Sequence, residues 1–361
     1  GVVDGGTGIT NLDSALTIAC RDGAQTPLNE HGFGLKHALA SCDSSPSQQW
    51  SIRTRTKKDA AANQYREVTA PYSMGTSEED QPMKVFFYPG AGGLPYPTGT
   101  AVTVRCPMAK FQTVKPDRKA AQSDFHHLVM YAIEELRYIY AGVLADTNIT
   151  MKVLEVNGGT EKCHILKPLQ PTWEEGTMKR LENVPYDLGG GQLTIHCRYG
   201  NILPTKSNAI YYKGNMASSG VELRINGRAI EHGLFDRVWG EAIHPSQNRF
   251  LVQVDLITNN SAALPATKNT KTSFCEADPR LNKLFRWIAT YVPAPPKDAD
   301  TIEARYVKEL AAKCESNPDA LRVSREEPVF QKIGLKAKVD LFVGCVNGVT
   351  IYEAKAGKTK A

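Results

Sequence analysis

Apolar positions along the chain follow two rhythms. Short alternating runs bounded by glycine, proline or asparagine predict strands at 1–4, within 48–69, at 84–88 and at 101–106. Helical spacing predicts helices at 12–20, 35–41 and 125–144; in the last, Leu128, Ile133, Leu136, Ile139 and Tyr140 recur on one face. After Asn148 strand follows strand, at 151–156, 192–199, 209–212, 221–225 and 250–257. Turn signals lie between them at Asn157-Gly-Gly, Gly189-Gly-Gly and Asn226-Gly. A helix at 279–291 closes this region, and Pro293-Ala-Pro-Pro-Lys297 reads as a stiff linker. A charged helix at 301–314 and strands near 328–333, 338–343 and 349–354 complete the pattern, which is that of an α+β chain.

Composition narrows the class only a little. A chain of 361 residues has room for two or three domains. No apolar run reaches the ~18 residues of a membrane span, and the first residues carry no signal-peptide pattern. The net charge of +5 permits a nucleic-acid partner without demanding one. Eight cysteines are scattered with no C-x-x-C pair, which argues against a zinc ribbon or redox motif and predicts core filler in a reducing, cytoplasmic compartment. The chain starts without Met and reads as a fragment.

Three motifs carry candidate chemistry. Asp4-Gly-Gly-Thr-Gly8 follows a strand directly; a carboxylate there can accept from an exocyclic amine, and the glycines allow close backbone approach to a flat base. By itself such a run also marks a hairpin turn. Asn29-Glu-His-Gly-Phe-Gly-Leu-Lys36 opens a helix, where exposed amides and the helix dipole suit phosphate, although a simple helix cap has the same composition. Thr98-Gly-Thr-Ala-Val-Thr-Val104 leads into a strand, and its Thr100 hydroxyl can bond a base edge or a bridging water. Neither a Rossmann fingerprint nor a Walker A sequence is present.

In this order the three motifs resemble the D-x-G-x-G, lid-glycine and G-T boxes of the GHKL ATPases, the superfamily of gyrase, MutL and MORC proteins. The resemblance implies a Bergerat-type α/β sandwich over 1–110. Asp4, Gly6, Gly8 and Thr100 would hold the adenine, and Gly32, Phe33, Gly34, Leu35 and Lys36 the phosphates of ATP, with 24–31 as the lid. The family's helix bearing a glutamate base and an asparagine ligand for Mg2+ would precede Gly1, so these residues alone imply nucleotide binding without hydrolysis.

Residues 111–292 resemble a connecting helix and the ribosomal-S5-like transducer domain of the same family. Gly220–Arg228 would be a transducer hairpin, and Lys268, with Lys271 as second choice, would reach the γ-phosphate. After a linker at 293–300, residues 301–361 resemble the start of a PD-(D/E)xK nuclease, a partial α/β segment. There Asp340 and Glu353 would hold Mg2+ and Lys355 would complete the catalytic set, with Glu309 a further acidic candidate. E-x-K on a strand is also a common solvated pattern. The resemblance as a whole implies an ATP-switched, dimerising protein that acts on double-stranded DNA. A MORC- or chaperone-like clamp that cuts nothing is the alternative, and a non-enzymatic interaction protein with a degenerate ATP fold is the third reading. His126-His127 at a helix start reads as structural, since adjacent residues do not share a helix face.

Overall fold

The computed structural model describes residues 1–17, 20, 34–42, 49–71, 79–82, 97–116, 124–146, 148–295, 302–329 and 337–352. The expected strand at 84–88 and lid at 24–31 lie outside them. Helices and several sheets share the chain, so it is of mixed α+β type.

The first sheet is antiparallel in the order β1-β5-β2-β3-β4. Its strands are β1 (Val2–Asp4), β2 (Trp50–Arg55), β3 (Gln64–Thr69), β4 (Glu79–Pro82) and β5 (Gly99–Val104). Alternation along β2 turns Trp50 and Ile52 inward. There they meet Leu12 and Leu16 of α1 (Leu12–Leu16), Leu39 of α2 (Gly34–Cys42) and Val68. Each such side chain fully buried contributes about 1.5–3 kcal/mol. The strand-like stretch at 48–69 is broken by a short helix, α3 (Lys57–Ala61), because Thr56 and Asp59 form a reciprocal capping box. Asn63, at φ 56°, then turns the chain into β3.

After α4 (Met108–Phe111), the helix expected over 125–144 forms as α5 (Phe125–Ile139) and α6 (Ala141–Ala145), interrupted at Tyr140. Asp124 caps α5 by accepting from His127 N–H. The turn at Asn226-Gly227 packs on α6 so closely that a Cβ on Gly142 would lie 2.3 Å from Gly227 Cα. Two glycines are needed at that contact.

β6 (Lys152–Asn157) and β7 (Thr160–Ile165) form a separate hairpin. The large sheet runs β12-β11-β13-β10-β8, with β9 also on β10. Its members are β8 (Thr172–Trp173), β9 (Lys179–Asp187), β10 (Gln192–Leu203), β11 (Gly220–Ile225), β12 (Arg228–Glu231) and β13 (Phe250–Ile257); β11 and β13 are parallel. α7 (Phe235–Trp239) and α8 (Pro279–Tyr291) pack on the apolar face, where Leu223, Val254 and Ile195 meet Leu281, Leu284 and Ile288.

The strand expected at 209–212 is instead a loop. The N–H groups of Ala209, Ile210 and Tyr211 all point at the buried carboxylate of Glu134, at 2.7–3.0 Å, so they serve no ladder. The β9 strand escapes the sequence pattern because it is a charged edge strand carrying Pro185.

The third sheet, β14-β15-β16, comprises β14 (Ala320–Val329), β15 (Ala337–Cys345) and β16 (Gly348–Tyr352). It packs Leu341 and Val343 against Val307 and Ala311 of α9 (Ile302–Glu315). The first strand lies earlier than the expected 328–333, with Val323 packed on this core.

Candidate functional site

Strand pairing brings two of the three motifs to one sheet end. Asp4 is the register partner of Thr100, and Thr100 in turn pairs Thr54 of β2, so the three form a row across adjacent strands. The Thr54 hydroxyl lies 3.3 Å from both Thr100 Oγ1 and the Gly99 carbonyl, and accepts from Ile9 N–H at 2.6 Å. Asp4 is exposed; its Oδ1 accepts from Gly6 N–H at 2.8 Å, and the Thr98 hydroxyl donates to Gly6 O at 2.7 Å. The turn is therefore fixed, and Asp4 Oδ2 takes no hydrogen bond among the described residues.

Glycine is required at two positions here. Gly8 sits at φ +77°, where a Cβ would come 2.4 Å from Arg55 O; Gly99 sits at φ +143°, where one would come 2.0 Å from Asp4 O. A side chain at Gly99 would push the β1 turn off the β5 entry, and one at Gly8 would push it off the end of β2. Gly6 is less restricted by backbone, since its added Cβ would meet only the Asp4 carboxylate.

Two arginines support the turn, and the sequence reading does not single them out. Arg55 donates to Pro97 O at 3.0 Å and to Gln64 O at 3.1 Å, which anchors the approach to β5. Arg66 donates to the carbonyls of Ile9 and Thr10 and pairs with Asp59. Burial alone would raise the Asp59 carboxyl. The Thr56 amide and hydroxyl and the Arg66 guanidinium outweigh it and hold the group below the usual carboxylate range. An arginine on a strand carries no pattern of its own, and Thr54 reads as an ordinary strand former; both signals become visible only through pairing.

The second motif is described from Gly34 onward; Gly32 and Phe33 lie outside the described residues. Leu35 packs on the same core as Ile9 and Ile52. Lys36 is half-buried in the first turn of α2, and burial lowers its ammonium pKa, with Cys20 opposing. A part-desolvated cation at a helix N-terminus is electrostatically unfavourable, and a phosphate would relieve it.

Lys268 and Lys271 occupy a tight turn closed by Lys268 N–H to Ser273 O and Lys271 N–H to Lys268 O, at 2.9 and 2.8 Å. The turn is flanked by a bridge between Thr267 and Phe274, and Lys271 has φ 56°. Asp340 is half-buried on β15, while Glu353 and Lys355 lie outside the described residues. Glu309 is exposed on α9. Among the described residues no cluster of three His, Cys, Asp or Glu side chains could hold a metal ion, and no helix is long and apolar enough to cross a membrane. His126 and His164 share the Glu155 carboxylate at 2.9–3.1 Å, tying α5 to the β6–β7 hairpin, and His127 bonds Asp124.

No protein-family model matches the chain, and no curated protein matches it in sequence. Among solved structures, the chain is similar to the N-terminal domain of a DNA repair protein, with TM-score 0.44 and 11% identity over 86% of this chain and 85% of that one. It is also similar to the B subunit of DNA gyrase from Myxococcus xanthus, with TM-score 0.34 and 9% identity over 67% and 65%. Scores of this size carry no argument about the site, whose reading rests on its own geometry.

Proposed function

We propose that the chain is the ATP-binding switch of a DNA-acting protein, with a nucleotide unit at 1–110, a transducer unit at 111–292 and, after the linker at 293–300, a nuclease-like segment at 301–361. The observation that carries this reading is the Asp4–Thr100–Thr54 row, framed by Gly8 and Gly99. Asp4 Oδ2 would accept from the adenine amine. Gly6 and Gly8 leave the base a flat approach, and the paired threonine hydroxyls would hold a water against the ring. Gly34, Leu35 and Lys36, with Gly32 and Phe33, would receive the phosphates at the start of α2.

Lys268, or Lys271 in its place, would then reach the γ-phosphate. Only a contact that ATP makes and ADP lacks can bias a two-state element, and a lysine at a turn tip supplies one. Closure would favour a homodimer. At the far end, Asp340 and Glu353 would hold Mg2+, which supplies charge neutralisation for phosphodiester cleavage, and Lys355 would orient the attacking water or stabilise the phosphorane. The DNA partner rests on this last segment. The clamp alternative shares everything except cutting.

Hydrogen exchange tests the switch. Amides at 2–8 and 98–100 are expected to gain protection with ATP or ADP, and those at 266–274 with ATP alone. Equal protection of the turn by ADP would remove the sensor role. For the nuclease, Mg2+-dependent cleavage of double-stranded DNA should vanish in Lys355→Ala; an intact protein that never cuts, or that cuts without Lys355, favours the clamp.

A further inference from the structure

The large sheet has a second face with chemistry of its own. Strand alternation puts Leu223, Val254 and Cys197 in the main core. The opposite side therefore carries two polar rows. Register pairs Arg224 with Asp255 and Asp255 with His196; two residues along, it pairs Glu222 with Gln253 and Gln253 with Arg198. Of these six polar or charged side chains Arg198 is exposed, and the other five, buried or half-buried, need partners.

At one end they have them. Glu222 takes Arg224 and a bond from the Tyr212 hydroxyl, and Gln253 donates to both Tyr212 and Glu222. At the other end they do not. Asp255 accepts only the Gly227 amide, and His196 and Arg198 make no hydrogen bond among the described residues. These three side chains, with Arg224, Gln253 and Trp173, line a cavity of about 340 Å³ walled by the small residues of α6. That volume falls in the range of small-ligand sites, about 300–1,000 Å³.

Glu222 pairs with Arg224, which leaves Arg198 and His196 as the cavity's donors and Asp255 as its acceptor. Burial raises the Asp255 carboxyl above its ordinary range despite the Gly227 amide and the nearby Arg224 and His196. Arg198 is exposed and makes no ion pair among the described residues. An anion suits Arg198 and His196, a flat ring suits Trp173, and a ring donor suits Asp255. That combination is found in a phosphorylated nucleoside.

We propose that this cavity is a second ligand site, separate from the β1–β5 end, that takes a phosphorylated nucleoside with its phosphate on Arg198 and His196 and its base against Trp173. The ligand can be a free mononucleotide or the terminal unit of a strand, and the two are separable. The full chain carrying Asp4→Ala, which disables the first site if that site is real, is titrated with AMP and with a short 5′-phosphorylated thymidine oligonucleotide. Tryptophan fluorescence and calorimetry are followed together.

Saturable binding is expected, weakened about 10-fold or more by Arg198→Ala, the loss of one charge-assisted contact. Trp173→Leu should weaken it too and remove the fluorescence change. Saturation by AMP identifies a free ligand; saturation by the oligonucleotide alone identifies a strand end. Arg198 is exposed, so its replacement leaves the sheet intact, which circular dichroism checks. Absence of saturable binding of either probe by the folded protein overturns the proposal, as does binding that Arg198→Ala leaves unchanged.

Discussion

At the residue scale, Gly99 shows how local backbone geometry fixes the end of β1 and β5 where a nucleotide is proposed to bind. Its φ of +143° and the 2.0 Å approach of a built Cβ to Asp4 O leave no room for any side chain. Gly99→Ala must therefore open the β1–β5 pairing at the point where Asp4 faces Thr100. A destabilisation of about 1–3 kcal/mol is expected from the strained backbone, with ATP affinity lost beyond what unfolding explains. Chemical denaturation and a binding titration on the same sample check both. Gly34, by contrast, has open space around its built Cβ, so Gly34→Ala is expected to be silent in stability. Spacing and order mark Asp4, Gly8 and Thr100 in the sequence, and pairing sets Asp4 opposite Thr100; their nucleotide role is a proposal. Thr54 was not legible there: a threonine in a strand is ordinary, and only the register that sets it against Thr100 gives it a role.

At the element scale, caps and carboxylates decide what periodicity cannot. α8 begins at Pro279 behind Asp278, which accepts from Arg280 N–H and also takes the Ala266 amide and the Arg280 guanidinium. Burial would raise this carboxyl, but those partners outweigh it and hold it below the ordinary range. A carboxylate with a depressed folded pKa adds stability that is present above its unfolded value, about 3.9. That stability is lost as pH falls through the folded value. Thermal melts of the native chain should thus fall in Tm below about pH 4, and Asp278→Ala should lose about 1 kcal/mol at neutral pH, the usual worth of a cap, while flattening the acid dependence. Helix 279–291 and strand 250–257 were readable from pattern to the residue, because the helix buries one apolar stripe and the strand is apolar and buried at most positions. The 209–212 segment was not, because Glu134, distant in sequence, takes its amides.

At the scale of the whole molecule, hydrophobic clusters are drawn from successive stretches of chain. One is built from residues between 9 and 104, and another links residues 111–166 around α5. Two more lie on the large sheet, one of them joining it to Tyr138 of α5, and the last lies between 307 and 345. The α+β class was legible in the order of helical and alternating runs. Long-range pairing was not, because β5 inserts between β1 and β2 and no local signal records that order.

The central claim is that a nucleotide binds at the end of β1 and β5 through Asp4. Calorimetric titration of the full chain with ATP and Mg2+, beside Asp4→Ala, tests it most directly. Saturable heat in the native chain that is absent from a folded Asp4→Ala variant is the predicted result. Binding of equal strength in the two proteins, or no binding in a folded native chain, would contradict the claim and return the glycine motif to a simple turn.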